Sequence, residues 1–466
     1  MTGERGLRAA TDKMRADGQP AEAIAAFARA YEALRAGASG TVPDRDIEPV
    51  RDVPAADDLP AEDAAAALDQ AVAIKLNGGL GTSMGMTRAK SLVEARDGLS
   101  FLDVIARQIL ALRERHAIRL PLVLMNSYRT RADTLAALER YPDLEADVPL
   151  DFLQHREPRL RAEDLTPVHW PADPELEWCP PGHGDLYPAL RSSGTLGALL
   201  DRGYRYAFVS NSDNLGAVLE PRLLAWFAAE RVPFAMEVVA GTEADRKGGH
   251  IARRRADGRL LLRETAQADD PASFRDFRRW RFYNSNNLWI DLRALAALLD
   301  AGGGTIDLPL IVNRKRVAAG DPASPEVIQL ESAMGTAIGA FEGARAVLVP
   351  RTRFAPVKTT DDLLVLRSDV YGLTGDARVQ RAREDEPYVA LDPERFGTLA
   401  DFDARFPAGP PSLVACERLV VRGDVTFGAG VVVRGSVEVQ APAGERLVVP
   451  DGAVLEQAAP PASTAD

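Results

Sequence analysis

Short apolar segments of strand length alternate with amphipathic segments of helix length from about residue 62 to residue 350. Parallel strands need long crossover connections, and helices usually provide them. The alternation is therefore typical of an α/β domain with a largely parallel sheet. The predicted strands are 71–76, 120–126, 204–211, 232–239, 286–292 and 345–350.

Polar residues follow three of these strands at the point where each strand ends. The three tips are Asn77-Gly78-Gly79, Asn126-Ser127 and Asn211-Ser212-Asp213-Asn214. Open α/β sheets bind their ligands in a crevice at the carboxyl ends of the strands. We therefore expect the three tips to point towards one crevice.

The N-terminal part of the chain differs from this central pattern. Residues 1–36 are alanine-rich, and Phe27, Tyr31 and Leu34 have the spacing of an amphipathic helix. The stretch that follows contains Gly, Pro and Asp, so it is predicted to be a linker or an extended wrap. The predicted domains are a helical segment with linker (1–61), an α/β domain (62–380) and a C-terminal domain (381–466).

An aliphatic residue recurs every six positions near the C-terminus. The repeat comprises Leu413, Leu419, Val425, Val431 and Val437, with glycines between them. A six-residue aliphatic repeat is typical of a short parallel β-helix, in which each side of a coil is a short strand. A pair of hairpins with valine-rich strands is the alternative that the repeat leaves open.

Charge and composition exclude several classes of function. The chain has 56 basic and 68 acidic side chains and a net charge of −12, whereas a general nucleic-acid or membrane-surface binder needs a basic face. Its first residues are too polar for a signal peptide, and no apolar run approaches the length of a membrane span. Cys179 and Cys416 lack the spacing of a zinc site or a disulfide framework. We expect a cytoplasmic protein, and a small anionic substrate held by local lysines remains compatible with the charge.

The glycine-rich segment 75–82 is the first candidate for chemistry, with Lys90 a short distance downstream. Glycines allow the backbone to approach a ligand, and successive N–H groups can form an anion-binding concavity. The spacing is neither that of a Walker A loop nor that of GxGxxG. From the spacing alone, a tight structural turn is about as well supported as a phosphate site.

Three further residues combine a reactive side chain with a rigid or strand-end position. His183 lies between two glycines in a Pro/Gly turn, Asp213 lies at a strand tip, and Lys358 follows a Pro-fixed turn. A carboxylate suits Mg²⁺, which often takes one or two carboxylates together with phosphate oxygens. On the residues alone the alternatives stay open: an Asx turn or helix N-cap for Asp213, a structural histidine and a solvated lysine.

Seven motifs follow one another in a fixed order along nearly the whole chain. They are KLNGGLGTSMGMTRAK (75–90), LVLMNS (122–127), PPGHGDLYPAL (180–190), FVSNSDNLGA (208–217), DRKGG (245–249), NSNNLW (284–289) and RFAPVKTTDDLL (353–364). In this order they resemble the eukaryotic-type UDP-glucose pyrophosphorylase family. The resemblance implies a Rossmann-like (GT-A-type) nucleotidyltransferase domain with a helical N-terminal segment and a C-terminal left-handed parallel β-helix. It also implies a Mg²⁺-dependent enzyme that makes UDP-glucose and pyrophosphate from UTP and glucose 1-phosphate.

The resemblance further implies a role for individual residues. Lys358 and Lys90 are the implied catalytic lysines, and Asp213 is the implied Mg²⁺ ligand. The residues implied to bind the nucleotide are Leu76, Asn77, Gly78, Gly79, Met125, Gln154, Gly182, Asn211, Ser212 and Asp213. Those implied to bind the sugar phosphate are His183, Gly249, Glu264, Asn284 and Asn286. In the segment 284–286, the alternation of an extended chain is expected to place both asparagines on one face.

The implied reaction is an in-line attack by the glucose 1-phosphate oxygen on the α-phosphorus of UTP. Such chemistry needs alignment and neutralisation of charge. No Ser/His/Asp or Cys/His nucleophile set is apparent in the sequence, so we expect no covalent enzyme intermediate. One departure from the family is Arg88-Ala89, where many relatives have Gly-Pro before the loop lysine.

Two alternatives to this function are weighed against the sequence. Relatives that use N-acetylglucosamine 1-phosphate, or several sugars, have a loop nearer LxGGxGTRLG, whereas Asn77 and Ser83 differ from it here. An inactive nucleotide-sensing scaffold is expected to lose at least one of Lys90, Asp213 and Lys358, and all three are present. Some relatives assemble through the C-terminal β-helix and others stay monomeric, so a homo-oligomer remains open.

Overall fold

The computed structural model describes residues 2–60, 64–245, 248–318 and 321–456 of the chain. A ten-stranded sheet forms its centre, and strand Ala71–Asn77 lies inside that sheet. Ala71 and Ala73 of this strand pack into one hydrophobic core, and Val72 and Ile74 pack into a second one. A strand that is buried on both faces needs a continuous apolar run. This requirement explains the apolar run at 71–74.

The strands of the large sheet are numbered here in chain order. They are β1 (Ile47–Pro49), β2 (Ala71–Asn77), β3 (Leu122–Asn126), β4 (Asp151–Leu153), β5 (Tyr206–Asn211), β6 (Phe234–Ala240), β7 (His250–Arg254), β8 (Leu260–Arg263), β9 (Phe282–Asp291) and β10 (Arg345–Leu348). Their spatial order is β1-β7-β9-β5-β2-β3-β4, with β6 paired to β9 and β10, and β8 paired to β7.

The sheet is mixed rather than largely parallel. Strands β5, β2, β3 and β4 run parallel to one another, whereas β9 runs antiparallel to both β5 and β6. All six predicted strands are present, with some ends shifted. Strands β1, β4, β7 and β8 were not predicted, because they are short and, in β7 and β8, end in arginine. The parallel half of the sheet carries the three polar tips.

Helices cover both faces of the large sheet. The longer ones are α1 (Thr2–Ala16), α2 (Ala21–Arg35), α3 (Phe101–His116), α4 (Arg131–Leu138), α5 (Leu186–Ser192), α6 (Thr195–Asp201), α7 (Pro221–Ala229), α8 (Leu292–Ala301), α9 (Thr360–Arg367) and α10 (Leu399–Arg405). Helices α3 and α7 bury Phe101 and Leu223 in the first core. Helices α5 and α8 bury Leu186 and Leu292 in the second. Among the described helices, none combines the length and the apolar character that a bilayer crossing requires.

The predicted N-terminal helical segment consists of two helices. Gly18, with a φ of 79°, lies in the turn between α1 and α2. The two helices pack on a small antiparallel sheet, where Phe27 and Tyr31 share a core with Leu160 and Ile328. That sheet consists of Ile311–Arg316, Glu326–Glu331 and Leu160–Arg161. The stretch that follows contributes the three-residue strand β1, which pairs antiparallel with β7 of the large sheet.

The C-terminal strands all pair in parallel. They are β11 (Tyr388–Ala390), β12 (Cys416–Arg422), β13 (Asp424–Phe427), β14 (Val432–Gln440), β15 (Arg446–Val449) and β16 (Val454–Glu456). The pairs β11–β12, β12–β14, β14–β16 and β13–β15 are parallel, which excludes the alternative of two hairpins. The repeat residues Leu413, Leu419, Val425 and Val431 are fully buried. Residues 457–466 of the predicted third domain lie outside the described part, and the three domain boundaries remain predictions.

Candidate active site

The carboxyl ends of β2, β3 and β5 lie side by side, as the sequence predicts. The Asn77 side-chain nitrogen Nδ2 donates to Asn126 Oδ1 at 2.8 Å and to Thr134 Oγ1 at 2.9 Å. On the other side of β2, Ser212 donates from its backbone N and from Oγ to the carbonyl of Leu76, at 3.1 and 2.8 Å. These bonds hold the tips together. They also use the buried Asn77 amide nitrogen for contacts inside the protein, and its role at the nucleotide remains a prediction.

The glycine loop after β2 has a row of unused donors. The N–H groups of residues 78–81 donate to no atom of the described residues. The loop is nevertheless held in place, because the Gly79 carbonyl accepts from the Lys90 backbone N at 3.0 Å. A Cβ on Gly78 would lie 2.7 Å from Gln154 Oε1, so a larger residue would displace that side chain. The loop is thus a built turn that also has the geometry of an anion cradle.

Asp213 and Lys90 form an ion pair at the tip of β5. Lys90 Nζ lies 2.6 Å from Asp213 Oδ2, and the two side chains are 16% and 21% exposed. The other carboxylate oxygen, Oδ1, is buried and has no hydrogen-bond partner among the described residues. Neither oxygen accepts from a described backbone N–H, so the Asx-turn and N-cap alternatives do not explain this aspartate.

The Asp213 carboxylate fits one ligand position of a magnesium ion. Mg²⁺ prefers oxygen ligands and is usually held by one or two carboxylates, water and substrate phosphates. A carboxylate oxygen without a hydrogen bond could take such a position. Within the described ranges, no three His, Cys, Asp or Glu side chains converge on a common point. Phosphate oxygens and water would therefore have to supply the remaining ligands.

The segment that carries Lys358 runs beside the tip of β5. Val357 N donates to the Asp213 carbonyl at 3.2 Å, and the Lys358 N–H donates to Asp362 Oδ2 at 2.7 Å at the start of α9. Burial raises the pKa of Glu264, and the nearby positive charge of Lys358 partly offsets this effect. The charge of Lys358 therefore acts on Glu264, a predicted sugar residue, and the segment of Lys358 contacts the carbonyl of the predicted metal ligand.

His183 lies on a turn that requires glycine. Gly182 has a φ of 78°, and a Cβ there would lie 2.4 Å from the Ser332 carbonyl oxygen. Gln154 Nε2 donates to the Gly182 carbonyl at 3.0 Å, which connects this turn to the glycine loop. Met334 N donates to His183 Nδ1 at 3.0 Å. Burial lowers the pKa of His183 to about 4, so the ring is neutral near pH 7 and its proton is on Nε2.

The predicted sugar residues are brought together by β9 and its neighbours. Asn284 N donates to the Gly249 carbonyl at 2.9 Å, and a Cβ on Gly249 would lie 2.7 Å from Glu264 Oε2. Asn284 Nδ2 donates to Asn286 Oδ1 at 2.8 Å. The two asparagines are side by side as expected, but regular alternation is not the reason, because the register shifts opposite Glu237 and Asn286 has a φ of 58°. A β-bulge, rather than a regular strand, places the two asparagines in contact.

Two predicted nucleotide residues at the strand ends differ in accessibility. Met125 is only 2% exposed and packs in the second core, so its side chain has little exposed surface that a nucleotide base could contact. Asn211 is partly exposed at the end of β5, and its carbonyl accepts from Asn214 N at 3.3 Å. The roles assigned to both residues remain predictions.

Sequence reasoning missed a layer of buried polar residues beneath the tips. Lys75 of β2 is 3% exposed, and its Nζ donates to Ser210 Oγ and to the Ala217 carbonyl, each at 2.7 Å. Burial, with a smaller contribution from the positive Arg353, lowers the pKa of Lys75 to about 7. Glu237 of β6 is fully buried. In the sequence, Lys75 and Glu237 are each visible as the one charged residue of an otherwise apolar strand.

We expect His183 to stay neutral, with its proton on Nε2, from pH 8 to pH 5. An unfolded histidine takes up its proton near pH 6.5, whereas folded His183 does so only near pH 4. Between these values the unfolded chain binds more protons, so this residue makes the free energy of unfolding decrease as the pH falls. Nitrogen-15 NMR of the imidazole rings checks the expectation, with His183→Gln used for assignment. A ring that titrates between pH 6 and 7 and is lost in His183→Gln would contradict it.

Comparison with known proteins supplies a family for this chain. The family model described as UTP–glucose-1-phosphate uridylyltransferase matches residues 24–434. The barley protein named UTP–glucose-1-phosphate uridylyltransferase is 42% identical over 389 residues, which are 82% of this chain and 80% of the barley protein. The potato protein of the same name is 42% identical and covers 82% of this chain and 79% of its own length.

Solved structures agree over an even larger part of the chain. The UDP-glucose pyrophosphorylase from Leishmania major, solved in open and closed structures, superposes with a TM-score of 0.92 at 43% identity and covers 97% of this chain and 98% of its own. A structure titled UDP-glucose phosphorylase from Trypanosoma brucei has a TM-score of 0.91 at 42% identity, with the same two coverages, 97% and 98%. The similarity thus extends over the N-terminal helices, the large sheet and the C-terminal strands.

Proposed function

The chain belongs to the UTP–glucose-1-phosphate uridylyltransferase family, and on this premise we propose that it makes UDP-glucose and pyrophosphate from UTP and glucose 1-phosphate. The observation that carries the proposal is a convergence at one edge of the sheet. The unused N–H groups of residues 78–81, the Asp213–Lys90 pair and the segment of Lys358 all lie at the ends of β2 and β5. Each supplies positive charge, a donor or a metal ligand, and a nucleotide's phosphates require all three.

The proposed step is a single in-line displacement at the α-phosphorus of UTP. A phosphate oxygen of glucose 1-phosphate forms the new P–O bond while the bond to the β-phosphate oxygen breaks. Pyrophosphate leaves with the electron pair, so the step needs no side-chain nucleophile and forms no enzyme-bound uridylyl group. The protein's contribution is alignment of the two oxygens and neutralisation of charge.

The phosphates are proposed to bind side chains that already make contacts within the protein. Lys90 now pairs with Asp213, and phosphate oxygens would give Lys90 a second anionic partner. A Mg²⁺ ion on Asp213 would neutralise the phosphate charge when it is bound. Lys358 would contact the reacting phosphate from the opposite segment. The backbone N–H of Met334 already donates to His183 Nδ1. Neutral His183 would therefore donate from Nε2 to a phosphate or sugar oxygen.

The hexose is proposed to lie against the bulge of β9. The amides of Asn284 and Asn286 can both donate and accept, which matches sugar hydroxyl groups. Gly249 leaves room that a Cβ would take from Glu264. Lys358 and Glu264 interact electrostatically, so the sugar and the reacting phosphate would bind next to each other. This arrangement supports a sugar 1-phosphate as the second substrate.

Two other functions are compatible with the same fold. A broader or N-acetylglucosamine-directed pyrophosphorylase would use the same phosphate groups and differ only in the hexose. An inactive nucleotide-sensing scaffold would keep the fold and lose the chemistry. The convergence of Lys90, Asp213 and Lys358 favours an active enzyme over the scaffold.

Pyrophosphate release with UTP and a panel of sugar 1-phosphates tests the proposal. We expect Mg²⁺-dependent release with glucose 1-phosphate, and at least about tenfold lower kcat/KM with N-acetylglucosamine 1-phosphate, because one added group in a fitted pocket costs about this much or more. Equal rates across the panel would support the broad-specificity alternative. No release with any sugar would support the scaffold. A uridylyl group trapped on the denatured enzyme in the absence of sugar phosphate would contradict the single displacement.

We propose in addition the finer architecture that the family implies. The large sheet with its helices would be a Rossmann-like, GT-A-type domain. The strands β11–β16 would form a short left-handed parallel β-helix, which their parallel pairing and buried six-residue repeat support. Strand β16 is the last described strand of this stack and has a half-exposed Val454. A second copy of the chain could add there, so both a monomer and a homo-oligomer are compatible with the fold.

A further inference from the structure

We propose that Glu237 is a positioning residue for the transfer reaction, and that it acts through Arg353 to hold the Lys358 segment against the strand tip of Asp213. The inference rests on the proposed function, because it concerns the same reaction. Glu237 is not proposed to contact either substrate. Glu237 lies in the middle of β6 and has no exposed surface.

Four donors satisfy the two oxygens of the buried Glu237 carboxylate. Arg353 donates from Nε to Oε2 at 2.8 Å and from Nη2 to Oε1 at 2.6 Å. Asn287 Nδ2 donates to Oε2 and Trp289 Nε1 donates to Oε1, each at 2.9 Å. A forked, fully hydrogen-bonded pair of this kind has one favoured geometry. Glu237 therefore fixes the position of the Arg353 guanidinium relative to β6 and β9.

The backbone of Arg353 transmits this position to the tip of β5. The Arg353 carbonyl accepts from Asn214 Nδ2 at 3.1 Å and from Asn287 Nδ2 at 3.2 Å. Ala355 N donates back to Asn214 Oδ1 at 3.0 Å. Asn214 is the neighbour of Asp213 in the chain. The side chain of Arg353 is thus held from the core, and its backbone is held to the tip that carries the predicted metal ligand.

The same contacts continue to Lys358. Asn214 and Pro356 form an isolated antiparallel bridge, and Val357 N donates to the Asp213 carbonyl at 3.2 Å. Opposite them, Gly216 packs so closely that a Cβ would lie 2.3 Å from the Thr352 carbonyl oxygen. The two segments therefore lie in contact from residue 352 to residue 357. A change in the Arg353 position would move Lys358 relative to Asp213.

The Glu237–Arg353 pair is better suited to geometry than to stability. A buried ion pair loses much of its Coulomb energy to desolvation, and apolar residues of similar volume are often as stable. A forked pair, in contrast, restrains distance and angle together. In-line transfer is sensitive to such restraint, because a displacement of about 1 Å of an aligned group can cost about 100-fold in rate. The pair lies where such a displacement would reach both the predicted metal ligand and the predicted catalytic lysine.

Glu237→Gln and Arg353→Lys test the inference in the full-length enzyme. Glutamine has the shape of glutamate but turns an amide towards Arg353, and lysine keeps the charge of Arg353 without its fork. We expect kcat to fall about 100-fold in each variant. We expect the Kd for UTP, measured by calorimetry, to stay within about threefold at one UTP per chain, because the loop 78–81 and Gln154 are unchanged.

The stoichiometry of UTP binding separates positioning from folding. A residue needed only for folding would lower the number of UTP sites per chain in proportion to kcat. One site per chain with a low kcat supports positioning. The proposal is overturned if kcat stays within about threefold of the wild type in either variant, or if neither variant binds UTP at one site per chain.

Glu230→Gln is the matched control. It removes the half-exposed pair of Glu230 with Arg345, at 3.2 Å, from the far end of β10, and it should leave kcat unchanged. The wild-type enzyme measured in parallel keeps this inference distinct from the proposed function. If the wild type releases no pyrophosphate, the proposed function fails. If the wild type is active and both variants are equally active, only the positioning role of Glu237 fails.

Discussion

Lys358→Ala is expected to lower kcat by about 10²- to 10³-fold, the usual cost of removing one group that stabilises transition-state charge. Lys358 is exposed, and its segment contacts the carbonyl of Asp213 through Val357. Its ammonium group therefore has access to the edge where the phosphates are proposed to bind. The backbone N–H of Lys358, which donates to Asp362 at the start of α9, is retained by alanine. The free energy of unfolding should therefore change by less than about 0.5 kcal/mol.

Mg²⁺-dependent pyrophosphate release measures kcat, and chemical denaturation measures the free energy of unfolding. Lys315→Ala is the matched control, since Lys315 is 55% exposed on the small sheet and outside the strand tips. We expect Lys315→Ala to keep the wild-type kcat. An unchanged kcat in Lys358→Ala would remove Lys358 from the mechanism. A large loss of stability in the same variant would show that the capped start of α9 depends on the side chain.

The central strands could be predicted because a strand that is buried on both faces appears in the sequence as a short apolar run. The run 71–76 is apolar except for Lys75 and lies between parallel neighbours, so both its position and its polar end were visible in the sequence. Strands β7 and β8 carry no such signal, because both are short and end in arginine. The antiparallel direction of β9 could not be predicted either. It depends on how the chain returns to the sheet, which local patterns do not specify.

The candidate site was predicted at the level of residue types rather than contacts. The strand tips follow from the rule for open α/β sheets, and the structure brings them together. The residue roles came from a family resemblance. The pair of Glu237 and Arg353 was missed because its members are 116 residues apart in the sequence. The bulge at Asn286 was missed because its left-handed φ is a tertiary consequence of pairing with β6.

The residues that the sequence patterns did not reveal have one property in common. Side chains that face the ligand are short-range features of strand ends and turns, so sequence motifs contain them. Side chains that hold those motifs in register connect distant segments, so each appears in the sequence as one odd charge in an apolar strand. Lys75 and Glu237 are both of this kind. A lone charge in a buried strand is therefore a useful signal for residues that support a site.

Asp213→Asn is expected to raise the Mg²⁺ concentration needed for half-maximal activity by at least about tenfold. Even residues that only support a metal ligand are worth about 10- to 100-fold in metal affinity, and Asp213 is proposed to be a ligand. Asparagine keeps the shape and one oxygen but loses the charge. We also expect kcat at saturating Mg²⁺ to fall by about 10²- to 10³-fold, because the uncharged amide also leaves Lys90 without its partner. A Mg²⁺ titration of pyrophosphate release at saturating substrates measures both quantities.

The Mg²⁺ titration distinguishes two roles that the geometry of Asp213 allows. One oxygen pairs with Lys90, and the other is buried without a hydrogen bond among the described residues. If Asp213 only orients Lys90, the variant should lose kcat while its Mg²⁺ dependence stays unchanged. If the unpaired oxygen binds the metal, the half-saturating concentration must rise as well. Asp201→Asn, at an exposed carboxylate at the end of α6, should change neither quantity, so a shift confined to Asp213→Asn would assign the metal to the Asp213 carboxylate.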